Sequence, residues 1–310
     1  MHPQLFRILS LGAPSYFVML MTGFIFATVL GVLWAKRIGE DPDVIVNLAL
    51  GALLAGVAGA RILHVLADGY FWDYVHLCTN PHLVDWHLSK VDCLSTRYHG
   101  AWDAAKGVCH PTERNCFAWA EVWHGGLTYY GGFIGATILA WYQLKADRFS
   151  FWKAADMAGF AIPTGLGFGR MGCLLAGCCF GVRTDGPLGL SFPPNSPASE
   201  SQFKAHLLPS LHHASLPVLP TQILESGASL GIAWFCLSWV HPRKRYDGEV
   251  FVWFVVLYAA VRFLLEYVRA DDRGGLLVFS TSQWMGLLFI AAALAVHWLK
   301  MRSLSSNGAP

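Results

Sequence analysis

Seven long apolar runs constrain this chain more than any other feature. They cover residues 16–34 (YFVMLMTGFIFATVLGVLW), 44–67, 127–144, 151–180, 220–240, 250–268 and 277–299. A helix that crosses ~30 Å of hydrocarbon at ~1.5 Å per residue needs about 20 such residues. The sequence therefore predicts an all-α polytopic membrane protein with about seven transmembrane helices. Composition agrees: 55% of residues are hydrophobic and 14% charged, against about a quarter charged in soluble domains. Thirteen tryptophans and ten tyrosines suit interfacial belts. A net charge of +2 without a basic stripe argues against a nucleic-acid partner.

Charge between the runs fixes the orientation. Lys36 and Arg37 follow the first run, Lys145 and Arg148 the third, Arg243, Lys244 and Arg245 the fifth, and Lys300 and Arg302 the seventh. Basic residues collect at cytoplasmic ends, so the N-terminus is expected outside and the C-terminus inside. The first run is too long for a signal peptide and lacks a cleavage site. Residues 1–303 are expected to form a single membrane domain with extracytoplasmic insertions at about 68–123 and 182–219, and residues 304–310 a disordered tail.

The first insertion holds Cys78, Cys93, Cys109 and Cys116. Outside the cytoplasm four cysteines suggest two disulfides, with three possible pairings. The histidines among them (His76, His82, His87, His99, His110) offer zinc ligation as the rival, without a CxxC to support it. The second insertion, rich in Pro and Ser, reads as an irregular cover. Cys236, in the fifth run, reads as an inert small hydrophobe.

Ionisable groups at membrane depth are costly and are functional candidates by default. In YAAVRFLLEYVRADD, Tyr258, Arg262 and Glu266 recur every fourth residue and Arg269 follows, so all four are expected on one helical stripe. A guanidinium's rigid fork suits a phosphate, which makes Arg262 a candidate anion ligand with Glu266 orienting it. Arg61 ends a small-residue run in which Ala52, Gly56 and Ala60 repeat, a pattern of close helix packing; Arg61 itself is expected to snorkel to the outer interface. Glu225 and Asp156 read equally as helix-end or site groups. In HGGLTYYGGFIGA, His124 at the loop–membrane boundary is a candidate general base, and its glycine pairs permit turns or close approach to a ligand.

Taken together these motifs resemble the bacterial phosphatidylglycerol–prolipoprotein diacylglyceryl transferases. HGGLTYYGG resembles that family's His-Gly-Gly motif, GRMGCLLAGCCFG its Gly-Arg-x-Gly signature, GLSFP the stretch after it, PTQILE its Pro-Ser/Thr-Gln-Leu-Tyr-Glu, YAAVRFLLEYVRADD its Tyr…Arg…Glu…Arg block and SQW its last Gln-containing span. The resemblance runs from about Tyr16 to the seventh run, outside the cysteine-rich insertion. It implies a multi-pass enzyme of the bacterial inner membrane whose active site opens to the extracytoplasmic side. Such an enzyme transfers diacylglyceryl from phosphatidylglycerol to the lipobox cysteine of a prolipoprotein signal peptide, with a thioether formed and glycerol phosphate released. It implies His124, Arg170 and Arg262 as catalytic residues, and Tyr16, Gly125, Gly126, Gly181, Tyr258 and Glu266 as substrate-binding ones, with no metal or cofactor. Membrane lipid is then both surroundings and substrate.

One departure stands out. The family pattern has Asn and Glu where this chain has Cys173 and Cys178, and thiols hydrogen-bond poorly. A paralogue acting on another lipid or acceptor is therefore one alternative, beside a membrane lipid transporter or a thiol oxidoreductase. Adjacent cysteines seldom close an unstrained bridge, so the signature cysteines read as stand-ins or packing residues, and the reactive thiol as arriving with the substrate.

Overall fold

The computed structural model describes residues 4–8, 11–88, 90–95, 100–122, 125–270, 275–276 and 279–307. A two-stranded ribbon, β1 (Gln4–Ile8) with β2 (Leu11–Pro14), precedes α1 (Ser15–Ile38) and α2 (Pro42–Ala67). The first insertion folds as α3 (Phe71–Thr79), α4 (Lys90–Cys93) and the antiparallel pair β3 (Gly100–Asp103) and β4 (Val108–Pro111). Then come α5 (Tyr129–Ala146), α6 (Phe151–Ala176), α7 (Pro197–Lys204) and α8 (Thr221–Phe235). A π-helical stretch, Cys236–Val240, joins α8 to the single turn α9 (His241–Arg243). Finally α10 (Glu249–Leu265) leads through the short ribbon β5 (Gly275–Leu276) and β6 (Phe279–Ser280) to α11 (Thr281–Asn307).

Among the described residues five helices are long and apolar enough to cross a membrane: Ser15–Ile38, Pro42–Ala67, Thr221–Arg243, Glu249–Val268 and Thr281–Ser306. Their outward faces carry large apolar side chains such as Phe17, Ile25 and Leu33 on α1, as contact with lipid tails requires. The remaining two apolar runs are helices as well, α5 and α6. The α6 helix runs unbroken through Pro163 and stops at Gly177, whose left-handed backbone (φ 78°) turns the chain and lets its N–H reach the Cys173 and Leu174 carbonyls. That is the ordinary work of glycine just beyond a helix, and it ends the expected span four residues early. The expected tail begins too early, because α11 is helical as far as Asn307.

The chain divides into two compact units, residues 1–45 with 149–310, and residues 46–148. The core of the first unit is Trp34, Ile45, Phe160, Ile232, Val250 and Phe254, with the Trp34 indole donating to His241 Nε2 at 2.7 Å. Helices approach closely through glycines. A side chain at Gly159 would meet the Val250 and Phe251 backbone at 2.8–2.9 Å, and one at Gly167 would meet Leu230 at 2.6 Å. Asp156, fully buried, accepts from the N–H groups of Gly248 (2.9 Å) and Val250 (3.0 Å) and from Lys244 Nζ (2.7 Å). It thus satisfies orphan donors at the start of α10, which Gly248 cannot cap with a side chain. Asp156 is a helix-end group.

The second insertion is more than an irregular cover. Ser196 caps α7 by accepting from Ser199 N, and Phe192, Ala198 and Val218 form a buried cluster beneath it.

In the second unit α2 and α5 meet backbone to backbone, Gly59 against Gly131 and Ala55 against Gly135. The expected small-residue packing is present, shifted partly onto Ala55 and Gly59. Disulfides Cys78–Cys116 and Cys93–Cys109 tie the insertion together. Among the described residues its histidines form no group of three potential metal ligands.

Candidate functional site

Glu225, on the first turns of α8, is 1% exposed and collects three partners. Its Oε1 lies 3.0 Å from Arg170 Nη2 and accepts from the Tyr258 hydroxyl at 3.1 Å, while Oε2 lies 3.5 Å from Arg269 Nη1. A buried carboxylate needs such partners to remain charged. Arg170 reaches it from the penultimate turn of α6 and Tyr258 from α10, so three helices converge on one carboxyl group.

One turn beyond Tyr258, Arg262 Nη1 sits 2.8 Å from Glu266 Oε2, and Glu266 Oε1 accepts from the Ser282 hydroxyl. The ion pair is close but not aligned as a hydrogen bond. Both terminal nitrogens of Arg262 and Glu266 Oε2 are buried without a hydrogen-bond partner. Such groups cost roughly 1–3 kcal/mol each, more when charged, so a guanidinium held this way is ready to donate to an anion. Among the described residues three arginines, Arg170, Arg262 and Arg269, meet two glutamates, Glu225 and Glu266, in this part of the protein.

The single stripe expected on α10 is only partly formed. The α-helix ends at Leu265, Glu266–Val268 is a 3-10 turn, and Arg269 is extended (φ −86°, ψ 149°). Arg269 therefore leaves the helical row and turns to Glu225, while Arg262 stays with Glu266. Gly181 secures that turn: it bridges Arg269 in antiparallel fashion, and its N–H donates to the Leu219 carbonyl at 2.8 Å. A Cβ there would fall 2.5 Å from the Val268 carbonyl and 2.7 Å from Thr221 Cγ2. Glycine at 181 thus serves backbone packing that positions Arg269.

Tyr16, on the first turn of α1, is 43% exposed and within electrostatic reach of Arg170 and of Cys173, Cys178 and Cys179. Gly172 makes room for it, since a Cβ at that position would lie 3.2 Å from Tyr16 Cα. Beyond α6, the carbonyl of Cys178 accepts from Gln222 Nε2 at 2.7 Å and that of Cys179 from the Thr221 hydroxyl at 2.8 Å. The sequence reading missed both contacts; their signal was the PTQILE motif, whose Thr, Gln and Glu all face this region.

In the second unit Arg61 does not snorkel. It is 6% exposed, and donates to the carbonyls of Ala118 (2.7 Å), Trp119 (2.7 Å), Gly125 (2.6 Å) and Gly126 (3.2 Å). Four carbonyls satisfy a buried guanidinium better than a membrane surface would, and they fix the segment before α5. Gly125 and Gly126 have left-handed backbones (φ 88° and 70°), and a side chain at Gly126 would strike His64 and Arg61. His64 Nδ1 pairs with Asp68 at 2.8 Å, which also accepts from Thr128. His124 lies outside the described residues.

Comparison with known proteins gives a consistent picture. A family model described as prolipoprotein diacylglyceryl transferase matches residues 3–103 and 107–299. The chain is 27% identical over 296 residues to the phosphatidylglycerol–prolipoprotein diacylglyceryl transferase of Clostridium tetani, covering 96% of each chain. It is 26% identical to the enzyme of that name numbered 2 in Clostridium perfringens (94% of this chain, 92% of the relative). To the Dehalococcoides mccartyi transferase it is 29% identical, covering 97% of this chain and 94% of the relative.

Proposed function

The chain belongs to the prolipoprotein diacylglyceryl transferase family, and we propose that it carries out the transfer for which its relatives are named. The diacylglyceryl group of phosphatidylglycerol moves to the lipobox cysteine of a prolipoprotein signal peptide; a thioether forms and glycerol phosphate leaves. The observation that carries this reading is Arg262, whose two terminal nitrogens are buried and without hydrogen-bond partners one turn from the Tyr258–Glu225–Arg170 cluster.

Displacement at a glyceryl carbon places growing negative charge on the departing phosphate ester. Prepositioned donors in a water-poor site stabilise such charge far better than water does. Arg262 and Arg170 are the donors, Glu266 orients the first, and Glu225 with Tyr258 orients the second. Tyr16, Gly125, Gly126 and Gly181 are assigned to substrate binding on the family motifs they belong to. His124 is assigned thiol deprotonation on its motif alone. The protein sits in the bacterial inner membrane with seven spans, its N-terminus outside, its C-terminus inside and its active site opening to the extracytoplasmic side. The alternation of basic connections supports that topology.

The test is turnover in proteoliposomes with phosphatidylglycerol and a lipobox peptide, read by the mass gain of the peptide. Arg262→Ala is expected to lose about 100-fold or more, the scale for removing one such donor. Near-normal turnover in a folded variant would reject the assignment.

A further inference from the structure

Three of the four cysteines outside the disulfides gather where α6 ends: the sulfurs of Cys173, Cys178 and Cys179 all lie within 4.8 Å of one another. The turn that brings them together is a complete helix-stop motif. Gly177, left-handed at φ 78°, donates its N–H to the Leu174 carbonyl at 3.3 Å, and the Cys178 N–H donates to the Cys173 carbonyl at 3.1 Å. Those two bonds fold the residue after the glycine back over the last helical turn, and a side-chain contact between the residues now at 178 and 173 usually accompanies them. Here both residues are cysteines. The Cys178 sulfur lies 3.8 Å from the Cys173 carbonyl oxygen. The exit from the turn is pinned from α8, where Gln222 donates to the Cys178 carbonyl and Thr221 to the Cys179 carbonyl.

We propose that Cys173 and Cys178 are an oxidisable pair that closes a third disulfide across the end of α6, with Cys179 left as a thiol. The choice of partners follows from the backbone. Cys178 and Cys179 are adjacent, and adjacent cysteines seldom close an unstrained bridge. Of the two remaining pairings, only Cys173 with Cys178 has its contact built by the helix-stop bonds. Cys173 is buried and Cys178 half-buried, which orders the steps. An external disulfide, that of glutathione or of an oxidoreductase, meets Cys178 first. The Cys178 thiolate attacks one sulfur of that disulfide, forming a mixed disulfide and releasing one thiol. The Cys173 thiolate then attacks the Cys178 sulfur and releases the second. Two S–H groups are lost, one S–S bond forms, and the external disulfide is reduced to two thiols, which take up the two protons.

Supply of the oxidant rests on the topology proposed above, in which both insertions lie outside the cytoplasm and the cluster stands at the entry to the second. Disulfides persist in such a compartment, and the first insertion holds two. The geometry of the pair does not rest on that topology. What the bridge adds is a covalent clamp on the turn that carries Arg170. Arg170 lies one turn before Cys173 and meets Glu225, which follows one turn after the Gln222 that holds Cys178. The bridge therefore ties the last turn of α6 to the segment anchored by α8. The transfer chemistry is unchanged, since the acceptor thiol still arrives with the substrate.

The experiment starts from intact membranes quenched with acid and N-ethylmaleimide, and maps the full-length protein by non-reducing peptide mass spectrometry. A Cys173–Cys178 link is expected, with Cys179 and Cys236 the two alkylated cysteines. In parallel, protein purified in detergent is equilibrated with mixtures of reduced and oxidised glutathione; the four cysteines free of the first insertion's disulfides should fall to two as the mixture becomes oxidising. A folded protein that keeps all four as thiols or glutathione adducts, or that links Cys173 to Cys179, overturns the pair at any level of turnover. Closure in the purified protein, with all eight cysteines reduced in the cell, would sustain the pair and reject the extracytoplasmic placement. The clamp is read by turnover with phosphatidylglycerol and a lipobox peptide, which should fall on reduction and return on reoxidation. Cys173→Ser with Cys178→Ser should abolish that response; a response that persists overturns the clamp and assigns it to the first insertion. A protein that closes the bridge yet is inactive in both states would sustain the pair and reject the transfer.

Discussion

Glu225→Gln is the most informative single perturbation. The side chain keeps its shape and one carbonyl oxygen but loses its charge, and it gains an amide that can only donate toward guanidiniums that also only donate. At an effective dielectric of about 20, unit charges ~4 Å apart attract by about 4 kcal/mol. Glu225 engages Arg170 at 3.0 Å and Arg269 at 3.5 Å. Part of that attraction offsets the cost of burying the charges, so the net effect is the one measured when a buried pair loses one member, about 3–5 kcal/mol. Unfolding of the detergent-solubilised protein by a denaturing surfactant should show this loss. Turnover at saturating phosphatidylglycerol should fall about 100-fold as Arg170 loses its anchor, the scale for one misplaced charge-stabilising donor. Glu225→Asp keeps the charge and should restore most of the stability, whereas Tyr258→Phe removes one hydrogen bond at about 1 kcal/mol. A Gln variant within about 1 kcal/mol of the parent would show that Glu225 bears no clamp, and the account of Arg170 would fall with it.

Two further perturbations separate architecture from chemistry. Asp156→Ala strips Lys244 and two α10 backbone donors of a fully buried acceptor; about 3–5 kcal/mol of stability should be lost, while the KM for phosphatidylglycerol in the surviving folded fraction stays unchanged. Cys78–Cys116 closes 38 residues and Cys93–Cys109 closes 16, worth about 4 and about 3 kcal/mol in the chain-entropy description. Serine replacement of each pair should therefore destabilise in that order, and non-reducing peptide mapping should recover these two links and not the other pairings.

The membrane-spanning pattern was legible because hydrocarbon imposes one long-range rule, about 20 apolar residues per crossing, that any window of sequence reveals. What it left hidden was local. Residues 177–180 are as apolar as the helix before them, yet a glycine φ of 78° ends α6 at Ala176, a backbone decision that hydropathy does not register. The ribbons β1–β2 and β5–β6 escaped for a related reason: strands of two to five residues carry too little alternation to stand out from their flanks. Disulfide partners were equally invisible, since four cysteines permit three pairings until the chain is folded.

Charge pairing shows the same boundary from the other side. Spacing placed Tyr258, Arg262 and Glu266 within reach of one another because an i, i+4 relation is local geometry, and Arg262 does meet Glu266. Spacing gave no hint that Arg61 answers four carbonyls or that Glu225 answers Arg170, 55 residues away. Those partners follow from a requirement rather than from a pattern. A buried ion must be matched, and the only open question is which element supplies the match. Glu225 meets both Arg170 and Arg269, and Arg262 lies 2.8 Å from a carboxylate it does not hydrogen-bond. Buried terminal nitrogens without hydrogen-bond partners leave the Arg262 guanidinium with donors to offer, and that is the ground on which we assign it to an anion.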